Sequence, residues 1–368
     1  MEKGKNMSNN TIPVPQAAAD WFNSHTEILK IGSQNDAGLL ALMILVIADC
    51  RTDVMEYILR LRVDAGFDDR DEFLFQATLT GNVKVMEWLV ERGANVNARL
   101  KSDGSFGGSR DETPMFFAVS GEHIEALEWL VRHGAEIDIQ DAKGRTPLIA
   151  AVLSGKIEVI ECLAKLGAEI DIQDANGITP LRYAVLTEKF EAIECLVRLG
   201  AKINRKSGQH GWTPLHVAVR CESIKCIACL ARLGADVNAS DDSDGVTPIQ
   251  MAAGSGQVEI IKCLAEHGAD IEALGAIEMP PIQAAALHGQ IESIKCLAKL
   301  GANVNAKGGR GWTAMFAAAV TGQIEAMQCL KDLGAVVNVS GEDGSTPLSL
   351  AEEQGHTEAA AWLRKNGG

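Results

Sequence analysis

Aromatic residues are scarce in this chain: Phe, Trp and Tyr make up 5% of 368 residues. With so few rings, the core must be filled by Ala, Leu, Ile, Val and Cys. Long apolar runs are also missing. The most apolar one, Leu39 to Ala48, falls far short of the roughly 20 residues that a membrane-spanning helix needs, so it is expected to be a buried helix. Met1 to Thr11 carries charge and Asn with no apolar segment before a cleavage site, so no secretory signal is expected. Basic charge is in deficit, with 34 Lys and Arg against 49 Asp and Glu, a formal charge of −15. Such a balance repels phosphate backbones and anionic membranes. It leaves two readings open, a partner with a basic surface or solubility alone. The nine cysteines are odd in number, and their spacing is no disulfide framework. Free thiols in a reducing cytoplasm are expected. No nucleophile elbow, P-loop or His-Glu-x-x-His motif occurs, so neither a catalytic residue nor a cofactor is expected.

What the chain does have is repetition. Hydrophobic residues reach 46%, too many for general disorder. Thr-Pro dipeptides begin at Thr113, Thr146, Thr179, Thr213, Thr247 and Thr346, with degenerate copies at Pro280-Pro281 and Thr313-Ala314. Successive steps are 33 or 34 residues. Weaker copies begin at Glu72 and near Leu39, giving about ten units with both ends counted. A fixed period of this length marks a stacked array, which grows without needing a new core.

Each unit can be derived locally. Thr146 suits an N-cap and Pro147 the first helical turn, so a short helix should run to about Ser154-Gly155. A second helix should span about Ile157 to Leu166, polar along one narrow stripe and therefore sandwiched between neighbours. Gly167 should end it in the left-handed conformation, and "Asp174-Ala-Asn-Gly177" supplies turn chemistry for a finger before the next Thr-Pro.

The stretch from Gly144 to Gly177, and above all "GWTPLHVAV" from Gly211 to Val219, resembles the ankyrin repeat. The resemblance covers about residues 36–368. It implies an all-α solenoid of helix-turn-helix units with short β-hairpin fingers. It also implies a non-catalytic, protein-binding function on the concave side formed by fingers and first helices, with His216 as a structural hydrogen-bonding position. The expected organisation is a segment 1–35, disordered and then helical around Trp21, Phe22 and Ile28, followed by the array at 36–368. Three departures stand out. Glu122, Glu188 and Glu222 replace the glycine that joins paired helices. The finger between Ile271 and Pro281 lacks its Asp-x-x-Gly turn. An insertion at Arg99 to Glu112, rich in Gly and Ser, is expected to be an extended, mobile finger.

Two clusters suggest metals and are better read otherwise. "CESIKCIAC" holds Cys221, Cys226 and Cys229 but has no fourth ligand at sensible spacing. "SDDSDG" at Ser240 to Gly245 would need a closing Glu where Met251 stands, so it is a solvated fingertip. Recognition surface is sought in the slot before each Thr-Pro, expected to be exposed at the finger. Arg145, Ile178, Trp212, Val246, Met279 and Trp312 occupy it, and Arg220 extends the same side from a helix end. Trp and Arg are enriched at binding hot spots; Trp212 and Trp312 could instead pack flat on adjacent fingers. The expected partner is a protein with a basic surface, with no nucleic acid, membrane insertion or small-molecule substrate. Two other readings stay open: a bacterial toxin-neutralising or host-directed factor whose N-terminal 35 residues act as a signal, and an accessory subunit of an enzyme.

Cys162, Cys195, Cys229, Cys263, Cys296 and Cys329 recur in one second-helix slot. Neighbouring helices pack roughly 10 Å apart, too far for a disulfide. The melting midpoint should therefore be the same with and without reductant. A clear drop on adding thiol would reveal a bridge.

Overall fold

The computed structural model describes residues 16–24, 45–64, 70–101 and 110–367. The expected disorder of 1–14, the apolar contribution of Ile28, residues 39–44 and the interior of the inserted finger lie outside these residues. The chain divides into two compact units, Met1–Glu169 and Ile170–Gly368.

In Ile170–Gly368, six first helices alternate with six second helices. Pro180–Leu186 is followed by Phe190–Arg198, Pro214–Arg220 by Ile224–Arg232, and Pro248–Gly254 by Val258–Glu266. The array continues through Pro281–Leu287, Ile291–Lys299, Ala314–Val320, Ile324–Asp332, Pro347–Glu353 and Thr357–Lys365. Thr179, Thr213, Thr247 and Thr346 each accept the backbone N–H three residues on, as N-caps should. Thr313 does not; Phe316 stands at that third position, and the Thr313 hydroxyl is buried without a partner. The core is built from small residues. Ala218 and Val219, Ala252 and Ala253, and Ala285 and Ala286 are fully buried on first helices, against Ile227, Leu230, Ile261 and Leu264 on second helices. Burial of Cys195, Cys229, Cys263, Cys296 and Cys329 in the second helices continues this packing, and desolvation holds Cys229, Cys263, Cys296 and Cys329 above the usual thiol range.

The fingers are tighter than hairpins. Among the described residues the only bridge of strand type is Ser207 with Trp212. Apart from the finger at Leu274, the fingers of this unit are closed by a backbone hydrogen bond to the carbonyl before the N-cap, as in Asp174 N–H to Ile178 (3.0 Å) and Asp241 N–H to Val246 (3.0 Å). The extra residue of the 34-residue steps sits inside the longer fingers Ser207–Trp212 and Asp241–Val246. Adjacent fingers are joined in turn, Gly208 N–H to the Gly177 carbonyl and Ala276 N–H to the Gly245 carbonyl, at 3.1 and 3.2 Å. Gly245 is required there. Its φ is +66°, and a Cβ would lie 2.2 Å from that of Ala276.

Met1–Glu169 repeats the pattern, with helices Pro114–Gly121 and Ile124–Arg132, then Pro147–Ser154 and Ile157–Lys165. Arg70–Leu79 and Val83–Glu91 form the degenerate pair before them, and Thr52–Asp64 precedes these. The short helix Gln16–Ser24 buries Trp21, whose indole N–H donates to Asp49 at 3.0 Å. The base of the inserted finger is tied down by Leu100 N–H to Glu112 and Asp111 N–H to Leu100, both at 2.9 Å. Leu100 packs there with Phe75, Ala98 and Phe117.

Glu122, Glu188 and Glu222 adopt φ of +61°, +51° and +57° at the turn between paired helices. The left-handed conformation is forced by the turn and costs an L-residue roughly 1–2 kcal/mol. Glu222 makes no ion pair among the described residues. Replacing Glu222 with Gly should therefore stabilise the array by about 1 kcal/mol, after allowance for glycine's greater unfolded freedom. A raised urea midpoint is the expected reading; an unchanged or lowered one would show that the turn carries no strain.

Candidate protein-binding surface

At three of the fingers, the slot residue before the first helix accepts a hydrogen bond from the preceding unit. In Pro214–Arg220, His216 sits at the third helical position. Its Nδ1 lies 2.7 Å from Thr213 Oγ1 and its Nε2 2.9 Å from the Val246 carbonyl. A carbonyl can only accept, so Nε2 carries the proton and Nδ1 accepts from the threonine. One unit on, Gln250 takes the same position and donates to the carbonyls of Ala273 and Met279. Gln283 repeats this toward Ala306 and Trp312. Arg182, in the unit before His216, reaches forward to the Ser207 carbonyl at the start of the next finger. The slot carbonyls of Val246, Met279 and Trp312 are thus held by the preceding unit.

The slot is half-buried rather than exposed: Arg145, Ile178, Trp212, Val246, Met279 and Trp312 are all of intermediate accessibility. Arg220, at its helix end, is exposed. Arg145 turns back on its own finger, with its guanidinium 2.6 Å from Asp141 and 3.8 Å from Glu112. Trp212 stacks on His210 at 5.0 Å. Trp312 lies parallel to Phe316 at 5.6 Å, with Arg310 over its ring and its indole nitrogen buried without a partner.

Val246 and Met279 are brought together. They line one side of an open groove of about 360 Å³ between the first helices Pro248–Gly254 and Pro281–Leu287. Met251, Ile277 and Leu287 supply the remaining apolar wall, and Gly254 and Ala284 leave room between the helices. His288 stands at the end of the second of these helices. Met251, Ile277 and Leu287 were missed from the sequence. Apart from Gln250 and Gln283, these two first helices are apolar, so composition does not separate the side facing the groove from the side facing the core. A signal for Ile277 did exist, in the finger that lacks its Asp. There Leu274 replaces the acid, Met279 N–H donates to the Leu274 carbonyl at 2.8 Å, and Glu278 takes φ of +51°. Leu274 and Ile277 are each left 45% exposed.

The acidic fingertip is occupied by its own backbone. The buried Asp241 carboxylate accepts from the N–H of Asp244 and Val246 and from the Ser243 hydroxyl. Burial opposes its ionisation, but these hydrogen bonds outweigh burial and hold it below the usual carboxylate range. Cys226 and Cys229 are buried, and Cys221 is exposed. Among the described residues no group of three or more His, Cys, Asp or Glu could hold a metal ion. His133 and His267 cap their helices, each Nδ1 2.8 Å from the carbonyl four residues back. No helix among the described residues is long and apolar enough to cross a membrane.

The family model for ankyrin repeats (3 copies) matches residues 101–174, 160–241, 234–308 and 282–368. The chain belongs to the ankyrin-repeat family. A solved structure of the ankyrin repeat domain of Bcl-3, described as a unique member of the IkappaB protein family, is similar with a TM-score of 0.54. It is 24% identical, and the match covers 62% of this chain and 100% of that one. That likeness is one of fold. No curated protein matches the chain.

His216 gives the array a pH response. Burial lowers its pKa below the ordinary 6.5, partly offset by the bond to the Val246 carbonyl. Between the folded and unfolded pKa the unfolded chain holds more protons, so stability is full above about pH 6.5 and falls below it. Replacing His216 with Gln, as in the two following units, should make the loss of melting temperature between about pH 7 and about pH 5 shallower. Equal slopes for the two proteins would show that His216 does not titrate in this way.

Proposed function

We propose that this chain is a non-catalytic docking module that binds a protein partner through its finger tips and first helices, with the contact centred on the groove of Val246, Met251, Ile277, Met279 and Leu287. The observation that carries this is the exposed apolar surface there. Leu274 and Ile277 stand out on a finger where Leu274 takes the place that buried Asp141, Asp174 and Asp241 hold in theirs, beside an open groove that the fold does not need to leave unfilled. Clustered exposed apolar residues rimmed by polar ones mark interaction sites. Ile178, Trp212 and Arg220 extend the contact from the preceding units. Arg145 and Trp312 contribute less, because their side chains are already committed to Asp141 and Phe316. The acidic balance suits a partner with a basic surface and disfavours nucleic acid. The free thiols suit a reducing compartment such as the cytoplasm.

The double variant Met251→Glu/Leu287→Glu places two charges in the groove, where both residues are only half-buried. Proteins retained by the immobilised wild-type chain should be lost from this variant at an unchanged melting temperature. They should persist on a control changed at the exposed second-helix Glu325. An identical retained set on wild type and double variant would move the contact away from the groove.

A further inference from the structure

The rim of the groove has a definite charge. The two fingers and two first helices that build it, residues 241–254 and 274–287, contain no Lys or Arg. Their charged residues are Asp241, Asp242, Asp244 and Glu278. Asp241 is buried in its own turn, and Asp242 is paired with Lys206 at 2.6 Å. Asp244 and Glu278 are exposed and have no ion-pair partner among the described residues. Neither lines the groove itself, but both neighbour it in the chain, Asp244 two residues before Val246 and Glu278 next to Met279. Glu278 lies between the lining residues Ile277 and Met279, and the bond from Ala276 N–H to the Gly245 carbonyl holds the tip bearing Asp244 beside it.

An apolar trough with two uncompensated carboxylates on its edge selects for a particular ligand. An apolar side chain alone would fill the trough and leave the carboxylates unanswered. A cation alone would leave the apolar trough unfilled, and the buried Asp241 carboxylate is already committed to its own turn. Resting on the docking role proposed above, we infer that the occupant is an extended segment of a partner protein. It inserts one large aliphatic or aromatic side chain between Met251, Met279 and Leu287, and it carries a Lys or Arg within a few residues that answers Asp244 and Glu278. The aliphatic anchor supplies affinity by burial, and the cation fixes which way the segment lies.

The probe is a phage-displayed library of random peptides selected on the full chain. Enriched sequences should combine a large apolar residue with a nearby Lys or Arg. A synthetic peptide made from them should lose about tenfold in affinity on Asp244→Lys/Glu278→Lys, weaken as salt is raised, and fail to bind Met251→Glu/Leu287→Glu. Asp244 and Glu278 are surface residues, and equal melting temperatures would confirm that these variants fold. Enriched peptides that bind the groove but lack a basic residue, or that ignore the charge reversal, would overturn this inference and leave the docking groove standing. Peptides indifferent to Met251→Glu/Leu287→Glu, or no enrichment over an unrelated protein, would overturn the docking reading itself.

Discussion

At its turns this chain leaves backbone groups whose hydrogen-bond partners lie one unit away, and the rest of the structure follows from meeting that demand. Forward along the chain, Arg182, His216, Gln250 and Gln283 reach carbonyls in the next finger. Backward, the residue before a second helix reaches the end of the preceding first helix. His123 lies 3.0 Å from the Leu79 carbonyl, Lys156 donates to Ser120 at 2.6 Å, and His356 lies 3.1 Å from Val320. A third series follows the second helices, where Asn204 and Asn238 accept the N–H groups of Asp236 and Asp270. An unmade bond to a buried group costs about 1–3 kcal/mol, so a unit cut from its neighbours loses far more than its apolar contacts. The side chains used for these links differ between units, while His216, Gln250 and Gln283 all serve the carbonyl just before the next N-cap. That is why the pattern survives so much substitution.

The architecture was legible because its signals are local and repeated. Thr before Pro names a cap and a first turn, and Gly167 names a helix end; both act within a few residues. The three Glu residues at glycine positions were also readable as a turn held without glycine, and their positive φ shows the chain overriding a local preference. Tertiary position was harder to read. The slot before Thr-Pro looked exposed when each finger was considered alone. Trp212 is half-buried by stacking on His210, and the Met279 carbonyl is fixed by Gln250 of the preceding unit, neither of which is encoded at the slot itself. Met251 and Leu287 were hidden for a related reason, since "PIQMAAG" and "PIQAAAL" are apolar apart from Gln250 and Gln283.

The groove arises where several of these features coincide. Gly254 and Ala284 remove side-chain volume between two first helices, and the finger at Leu274 gives up its buried acid. Gln250 meanwhile keeps both the Ala273 and Met279 carbonyls in place, so the finger is held at both ends although its turn chemistry has changed. Loss of the Asp turn therefore leaves an ordered apolar edge rather than a loose one. Rigid display of that kind lowers the ordering cost of binding.

The buried cysteines have a consequence of a different sort. Six consecutive second helices each hide one thiol at 2–8% exposure, in equivalent places. An alkylating reagent could reach any of them only when that helix parts from its neighbours. The array thus carries an internal set of reporters spaced one to a unit. The order in which they become labelled would chart where fraying starts and how far it travels before the whole chain comes apart.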